Sequence, residues 1–147
     1  MNKKNILIFS VSLIMIFLDQ SAKFLIRKNF QLGQSVPIIK NIFYLTYITN
    51  TGSAFGLFKN FNLIFILFSI IVAAAIFYCI KKIRENEKTL QFAVGLLLGG
   101  TIGNLIDRII YGKVTDFIDF RIWPVFNVAD SAVTISVIIL VIVLWER

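Results

Sequence analysis

Residues 60–80 read NFNLIFILFSIIVAAAIFYCI, 21 positions without a charge between Lys59 and Lys81. At helical rise such a run covers about 31 Å, the thickness of a bilayer's hydrocarbon core. This segment takes the chain out of the soluble class, and the composition agrees. Of 147 residues 58% are hydrophobic and the mean hydropathy is +0.84, too apolar for a surface that must meet water.

Three further stretches read as helices around it. Residues 89–106 are 18 uncharged positions ending at Asp107, Asn5 to Leu18 are 14 before Asp19, and Ser131 to Trp145 are 15 after Asp130. The last of these covers roughly 22 Å, short of the core, so the first and last spans must draw Asp19 and Asp130 to the membrane edge. The expectation is a mainly α integral membrane protein, one domain over residues 1–147 with spans near 5–26, 60–80, 89–107 and 128–146. The basic and apolar start MNKKNILIFSVSLIMIFL resembles a secretory signal, but DQSAKF follows it rather than a small-residue cleavage site, so it reads as a retained helix.

The connections are not plain linkers. Between the first two helices, NIFYLTYITNTGSAFGLF (residues 41–58) is rich in aromatic and β-branched residues and is punctuated by Asn50, Gly52 and Gly56. It reads as short strands joined by a turn, a small extracytoplasmic sheet with its apolar side toward lipid or a lipidated ligand. Residues 111–125, a second outer loop between helices 3 and 4, read similarly, with Trp123 suiting an interfacial anchor and Pro124 a helix break.

Composition also limits the chemistry. There is no histidine, which excludes a Ser-His-Asp triad, a Cys-His pair and a His-rich zinc site. The single cysteine, Cys79, lies in an apolar run and reads as a packing or lipid-facing residue. The net charge of +7 is spread between apolar spans, which favours anionic lipid headgroups over nucleic acid. Seven basic residues fall on the side of the termini and eight on the other. The dense KKIRENEK (81–88) favours cytoplasmic termini, although charge alone does not decide orientation.

Gly95, Gly99 and Gly103 recur every four residues and line one helix face, which favours close helix packing over a ligand role. Asn104, an amide in an apolar helix, is expected to face the bundle interior or a cavity. Among the acids, Glu85, Glu87 and Glu146 read as solvated. Asp19, Asp107, Asp116, Asp119 and Asp130 gather at the opposite helix ends.

Asp19 and Lys23, four apart on a helix, can share one face as an ion pair, read as structural. Asp107 and Arg108 are adjacent, so one turns inward while the other ties down the helix end. Asp116 and Asp130 are 14 residues apart with Pro124 between, so they meet if the chain folds back. Two carboxyls close together in a poorly hydrated place share one proton, giving a base for water and an acid for a leaving amine. From spacing alone, a hydrolase and a proton- or cation-coupled transporter stay equally open, although four helices are few and no interrupted repeat halves are visible.

Five motifs then stand in one order: DQSAK (19–23), NTGSAF (50–55), GGTIGNLIDR (99–108), GKVTDFIDF (112–120) and FNVAD (126–130). Together they resemble the lipoprotein signal peptidase (signal peptidase II) family, membrane aspartic endopeptidases of bacteria. The resemblance implies that Asp116 and Asp130 are the catalytic pair. It implies that Asn50 and Gly52 help hold substrate, that Asn104, Arg108, Asn127 and Ala129 support the site, and that Asp19 and Lys23 are a structural pair. Asp119 carries no role, and Ser53 stands where a small apolar residue is more usual.

The implied substrate is a prolipoprotein whose lipobox cysteine already bears diacylglycerol, cut just before that cysteine, without metal or cofactor. The implied setting is the bacterial cytoplasmic membrane, with both termini cytoplasmic, the aspartate pair near the outer face, membrane lipids as partners and a monomeric enzyme. A non-catalytic lipoprotein-binding protein on the same scaffold is the remaining alternative.

Overall fold

The computed structural model describes residues 3–52 and 62–145. Four long helices, α1 (Lys3–Asn29), α2 (Asn62–Ile80), α3 (Lys88–Tyr111) and α4 (Val128–Trp145), are joined with three strands, β1 (Ser35–Ile39), β2 (Phe43–Asn50) and β3 (Val114–Asp119). All four helices are long and apolar enough to cross a membrane. Their surfaces are inverted relative to a soluble protein. On α1, Leu13, Phe17 and Phe24 face outward, whereas Ser12, Asp19 and Lys23 are buried, as expected where the solvent is lipid and polar groups must find partners inside.

Helix α3 is the central post, with 56% of its most apolar window buried against 17% for each of the others. Its glycines make that possible. A Cβ at Gly95 would lie 2.8 Å from the Ile8 carbonyl, and one at Gly99 would lie 2.8 Å from that of Ser12, so α1 packs directly on the α3 backbone. On another face a Cβ at Gly100 would come within 2.6 Å of the Ala129 carbonyl in α4. At the end near the termini, Ile8, Ile76, Ile80, Ile83, Leu90, Val94 and Leu98 form the apolar core. There the Lys4 ammonium donates to the carbonyls of Ile80 (3.2 Å) and Ile83 (2.9 Å), satisfying acceptors where α2 ends.

The helix ends differ from expectation in two places. Helix α1, expected to stop near residue 26, continues to Asn29. Helix α3, expected to stop at Asp107, runs on to Tyr111 and is closed by Gly112 in the left-handed conformation (φ 70°), whose N–H donates to the Arg108 carbonyl. Asp107 does not end the helix because cations from α1 partner its charge; the stop signal is the glycine.

The sheet is more widely assembled than the sequence reading. Its order is β1-β2-β3, antiparallel throughout. Among the described residues, β2 is the one strand from within 41–58; β1 precedes that stretch, and β3 is supplied by the outer segment between α3 and α4. Pro37 is tolerated in β1 because this is an edge strand, with a register shift between Pro37 and Ile39. The β1–β2 turn falls at Asn41, which has a positive φ of 64°. The turn expected after Asn50, including Ser53 and Gly56, lies outside the described residues, as do Asn60, Phe61 and Glu146.

Beyond β3 the chain doubles back. Arg121 takes a left-handed φ of 66°, and Phe126 then bridges to Ile118 with hydrogen bonds of 2.8 and 3.1 Å. Phe120 stacks between Phe43 (5.2 Å) and Phe126 (6.0 Å). Asp119 serves this corner, accepting from the Thr46 hydroxyl at 2.6 Å and the Arg121 N–H at 2.8 Å. The return delivers residue 127 to the side of β3, and Ile122 and Trp123 stand exposed at its tip.

Candidate active site

Asn127 is the N-cap of α4 and is fully buried. Its side-chain Oδ1 accepts from the Asp130 N–H at 2.9 Å, while Asp130 Oδ2 accepts from the Asn127 N–H at 3.2 Å. This reciprocal capping box, with aspartate in its third helical position, explains why an acid opens an apolar helix. The carboxylate accepts one of the N–H groups of the helix start and sits at the positive end of the helix dipole.

Asp116, on β3 and 1% exposed, faces this cap. Its Oδ1 accepts from Asn127 Nδ2 at 2.7 Å and its Oδ2 from Asn50 Nδ2 at 3.2 Å. Asn50 is itself fixed, since its Oδ1 accepts the Gly52 N–H at 2.9 Å, an Asx turn that aims the amide at Asp116. Asp130 Oδ1 accepts from Asn104 Nδ2 at 2.7 Å. Each oxygen of both carboxyls therefore receives an N–H, and Asn127 joins the two.

Burial, and next the negative charge of Asp130, push the Asp116 carboxyl up from its ordinary 3.8 to about 7; the amides of Asn127 and Asn50 and the Lys23 ammonium act in the opposite direction. Asp116 therefore keeps its proton to a much higher pH than an ordinary carboxyl does. Among the described residues, no three acidic or sulfur side chains converge as metal ligands would.

The pair stands at the edge of an apolar cavity of about 960 Å³ formed by α2, α3, α4 and the outer strands. Phe68, Ile135 and Val137 line it and are also exposed on the outer helix surfaces, so it opens toward lipid. Asn50, Gly52, Asn104 and Arg108 line it beside the aspartates. Arg108 turns into the cavity, its guanidinium carbon 5.1 Å from the Phe65 ring centre, a cation–π distance. Asp107 is the partner that ties down the helix end. Ala129 does not line the cavity; its N–H donates to Asp19 Oδ1 at 2.9 Å.

Asp19 and Lys23 are both fully buried and pair at 2.8 Å. Around them lies a polar layer that spacing did not disclose. Asp107, fully buried, takes the Thr115 N–H at 2.9 Å and faces Arg27 at 3.4 Å and Lys23 at 3.7 Å. Gln20 Nε2 reaches Asp19 Oδ2, the Gly103 carbonyl and Asp107 Oδ1 within 3.2 Å. Arg27 also donates to the Thr115 hydroxyl at 3.0 Å. The series Asp19, Lys23, Arg27 at spacings of four was a usable signal for Arg27; Gln20 and Thr115 had none.

Four apolar helices, three of which enclose with the outer strands a lipid-facing cavity that carries the buried Asp116 and the partly buried Asp130 at its edge, define a multi-pass membrane protein with a candidate site of paired carboxyls. Comparison with known proteins narrows the class. Residues 11–146 match the family model described as signal peptidase (SPase) II. Among curated relatives, the lipoprotein signal peptidase of Halothermothrix orenii is 42% identical over 141 residues, covering 96% of this chain and 97% of that protein. That of Desulfitobacterium hafniense is 48% identical over 128 residues, covering 86% and 85%. A bacterial membrane enzyme structure obtained by the in meso method at 2.3 Å resolution superposes with a TM-score of 0.90 at 33% identity, covering 95% of this chain and 87% of that one. The chain belongs to the signal peptidase II family.

Proposed function

We propose that this protein is an aspartic endopeptidase that removes the signal peptide from prolipoproteins, cutting before a diacylglyceryl-modified cysteine. The observation that carries the reading is the pair Asp116 and Asp130, joined by Asn127 at the edge of a lipid-facing cavity. Membership of the family supports prolipoproteins as the substrate class. Neither the fold nor the family favours a transporter or a non-catalytic binding protein.

The chemistry follows from the two environments. Asp130, at a helix N-terminus, enters as the carboxylate and takes a proton from water as that water attacks the scissile carbonyl carbon. Asp116 enters protonated and passes its proton to the carbonyl oxygen. On collapse the C–N bond breaks, the amine leaves with the proton held by Asp130, and Asp116 recovers one from a hydroxyl of the diol. Asn127, Asn104 and Asn50 hold both carboxyls in place throughout, so geometry is set before substrate arrives. Asn50, Gly52 and Arg108 border the cavity where substrate backbone would lie.

The substrate's acyl chains and its apolar signal helix suit a cavity open to lipid, and the membrane fixes the depth of the scissile bond. Lys3, Lys4, Lys81, Lys82, Arg84 and Lys88 gather at the end remote from the aspartates, which supports cytoplasmic termini, an outward-facing site and residence in the bacterial cytoplasmic membrane. One chain supplies both aspartates, so a single-domain monomer holds a complete site.

The test is cleavage of a diacylglyceryl-modified lipobox peptide by the purified protein in detergent or lipid, beside the unlipidated peptide and the Asp116→Asn and Asp130→Asn variants. Cleavage before the lipidated cysteine, lost in both variants, supports the proposal. Turnover retained in both variants refutes the aspartate assignment, and equal turnover of the unlipidated peptide refutes the lipid requirement.

A further inference from the structure

Asn104 presents an amide to Asp130, and an amide has two ends. Its Nδ2 donates to Asp130 Oδ1 at 2.7 Å only while its Oδ1 points the other way. On that side stands the Lys23 ammonium, 3.0 Å from Asn104 Oδ1. An ammonium has donors and no acceptor, so a flipped Asn104 would set its NH2 against Lys23 and turn its carbonyl toward a carboxylate. Asn127 Nδ2 also approaches Asn104 Oδ1, at 3.1 Å, but its two hydrogens are shared with Asp116 Oδ1 and the Thr115 carbonyl. Lys23 is the partner that cannot reverse its polarity.

We infer that Lys23 is a positioning residue for the aspartate pair, holding Asn104 in the one orientation that donates to Asp130. The inference rests on the peptidase reading and deepens it. It replaces the view of Asp19 and Lys23 as merely structural. Asp19 anchors the ammonium at 2.8 Å through one oxygen and holds the Ala129 N–H at 2.9 Å through the other. Helix α1 thus fixes the first turn of α4 directly at Ala129 and, through Asn104, at Asp130. A pair that only neutralised buried charge would need neither contact.

Two consequences separate positioning from support. First, without Lys23 Asn104 Oδ1 keeps only the shared Asn127 donor and its orientation is less firmly held, so turnover falls by about 10- to 100-fold with KM nearly unchanged. Second, the Lys23 charge lowers the Asp116 carboxyl, so its loss moves that titration above about 7 and carries the alkaline limb of activity upward. The other charges near the pair among the described residues are Arg108 and Asp107 on α3 and Arg27 and Asp19 on α1. All of these except Asp19 stay unaltered in the test.

The experiment compares Lys23→Met with the double variant Asp19→Asn/Lys23→Met, which removes both charges and leaves no unpaired carboxylate should the single variant fail to fold. Each is measured for kcat and KM across pH on the lipidated peptide, and by infrared titration of the carboxyl groups, which needs no substrate. Folded protein with the stated loss in kcat, an upward shift of the Asp116 titration, and no further loss when Asn104→Ala is added supports the inference. A folded double variant within about twofold of the parent kcat, with its titration unmoved, overturns it. A parent that does not cleave at all refutes the peptidase reading, while the titration still decides the role of Lys23.

Discussion

Asn127 and Asp130 hold each other through two hydrogen bonds, the side chain of each on the backbone N–H of the other, at 2.9 and 3.2 Å. A motif that ordinarily starts a helix here also fixes the carboxylate proposed to activate water. The remaining arm of Asn127 donates to Asp116 at 2.7 Å, so one residue caps α4 and spaces the carboxyls.

These two duties separate by substitution. Asn127→Ala loses both, and is expected to lower stability by about 1 kcal/mol for the missing cap and to lower turnover by at least about 100-fold. Asn127→Ser can still cap the helix but cannot reach Asp116. Thermal unfolding should find most of the stability restored in the serine variant while cleavage stays at the alanine level. Equal activity of serine variant and parent would show that the bridge is not needed.

The pH profile follows from Asp116. In the proposed mechanism its carboxyl must carry a proton to protonate the carbonyl oxygen, and burial beside Asp130 raises its titration to about 7. Activity is therefore expected to decline as pH rises through about 7. Asn50→Ala removes a donor that favours the ionised form, so the midpoint of this decline should move to higher pH while the rate below it falls less than about tenfold. A downward shift, or none, in kcat against pH would contradict the assigned polarity of the pair.

The same shift has a sign for stability. In the unfolded chain Asp116 titrates near 3.8 and in the fold near 7, so the folded form binds the proton more tightly. The favourable contribution is complete below the unfolded value and is lost as pH rises through the folded one. Asp116→Asn removes this loss. Against the parent, the variant should be inactive yet gain stability progressively between pH 4 and 8, by about 1–2 kcal/mol at the upper end, the amide giving up one of the two hydrogen bonds in exchange. Melting temperatures of both proteins across that range check it; a pH-independent difference would mean that Asp116 is not a buried, proton-binding carboxyl.

Much of this arrangement was legible because membranes simplify the reading. Uncharged length located four helices, and acids inside or just beyond apolar spans need a reason, which set Asp19, Asp107, Asp116, Asp119 and Asp130 at one membrane face. What escaped was register between distant segments. Strand β3 joins β2 through pairings such as Ile48 with Asp116, and nothing local in GKVTDFIDF says which strand it will meet. Asp107 beside Arg108 left open which side chain turns inward, because the answer depends on where Arg27, Lys23 and Thr115 stand in three dimensions. Gln20 follows Asp19 directly, a spacing that on an isolated helix promises no contact; it reaches Asp19, and through α3 also Asp107, because the glycine face brings the helices so close.

That glycine face yields a contrast between its two ends. A Cβ at Gly103 would stand 2.7 Å from Asp19 Oδ2, and Asp19 cannot retreat without loosening Lys23 and the Ala129 N–H. Gly103→Ala is therefore expected to cost about 1–3 kcal/mol and to lower kcat in the surviving folded protein, since the displaced carboxylate leads through Lys23 and Asn104 to Asp130. A Cβ at Gly95 would stand 2.8 Å from the Ile8 carbonyl and from Val11 Cβ, a similar steric demand two helical turns farther from the aspartates. Gly95→Ala should lose comparable stability with kcat close to that of the parent. Unfolding in detergent measures the first quantity and turnover per folded molecule the second. If both alanines lowered kcat equally, the polar layer around Asp19 would have no special connection to the reaction, and helix packing alone would explain the shape of the site.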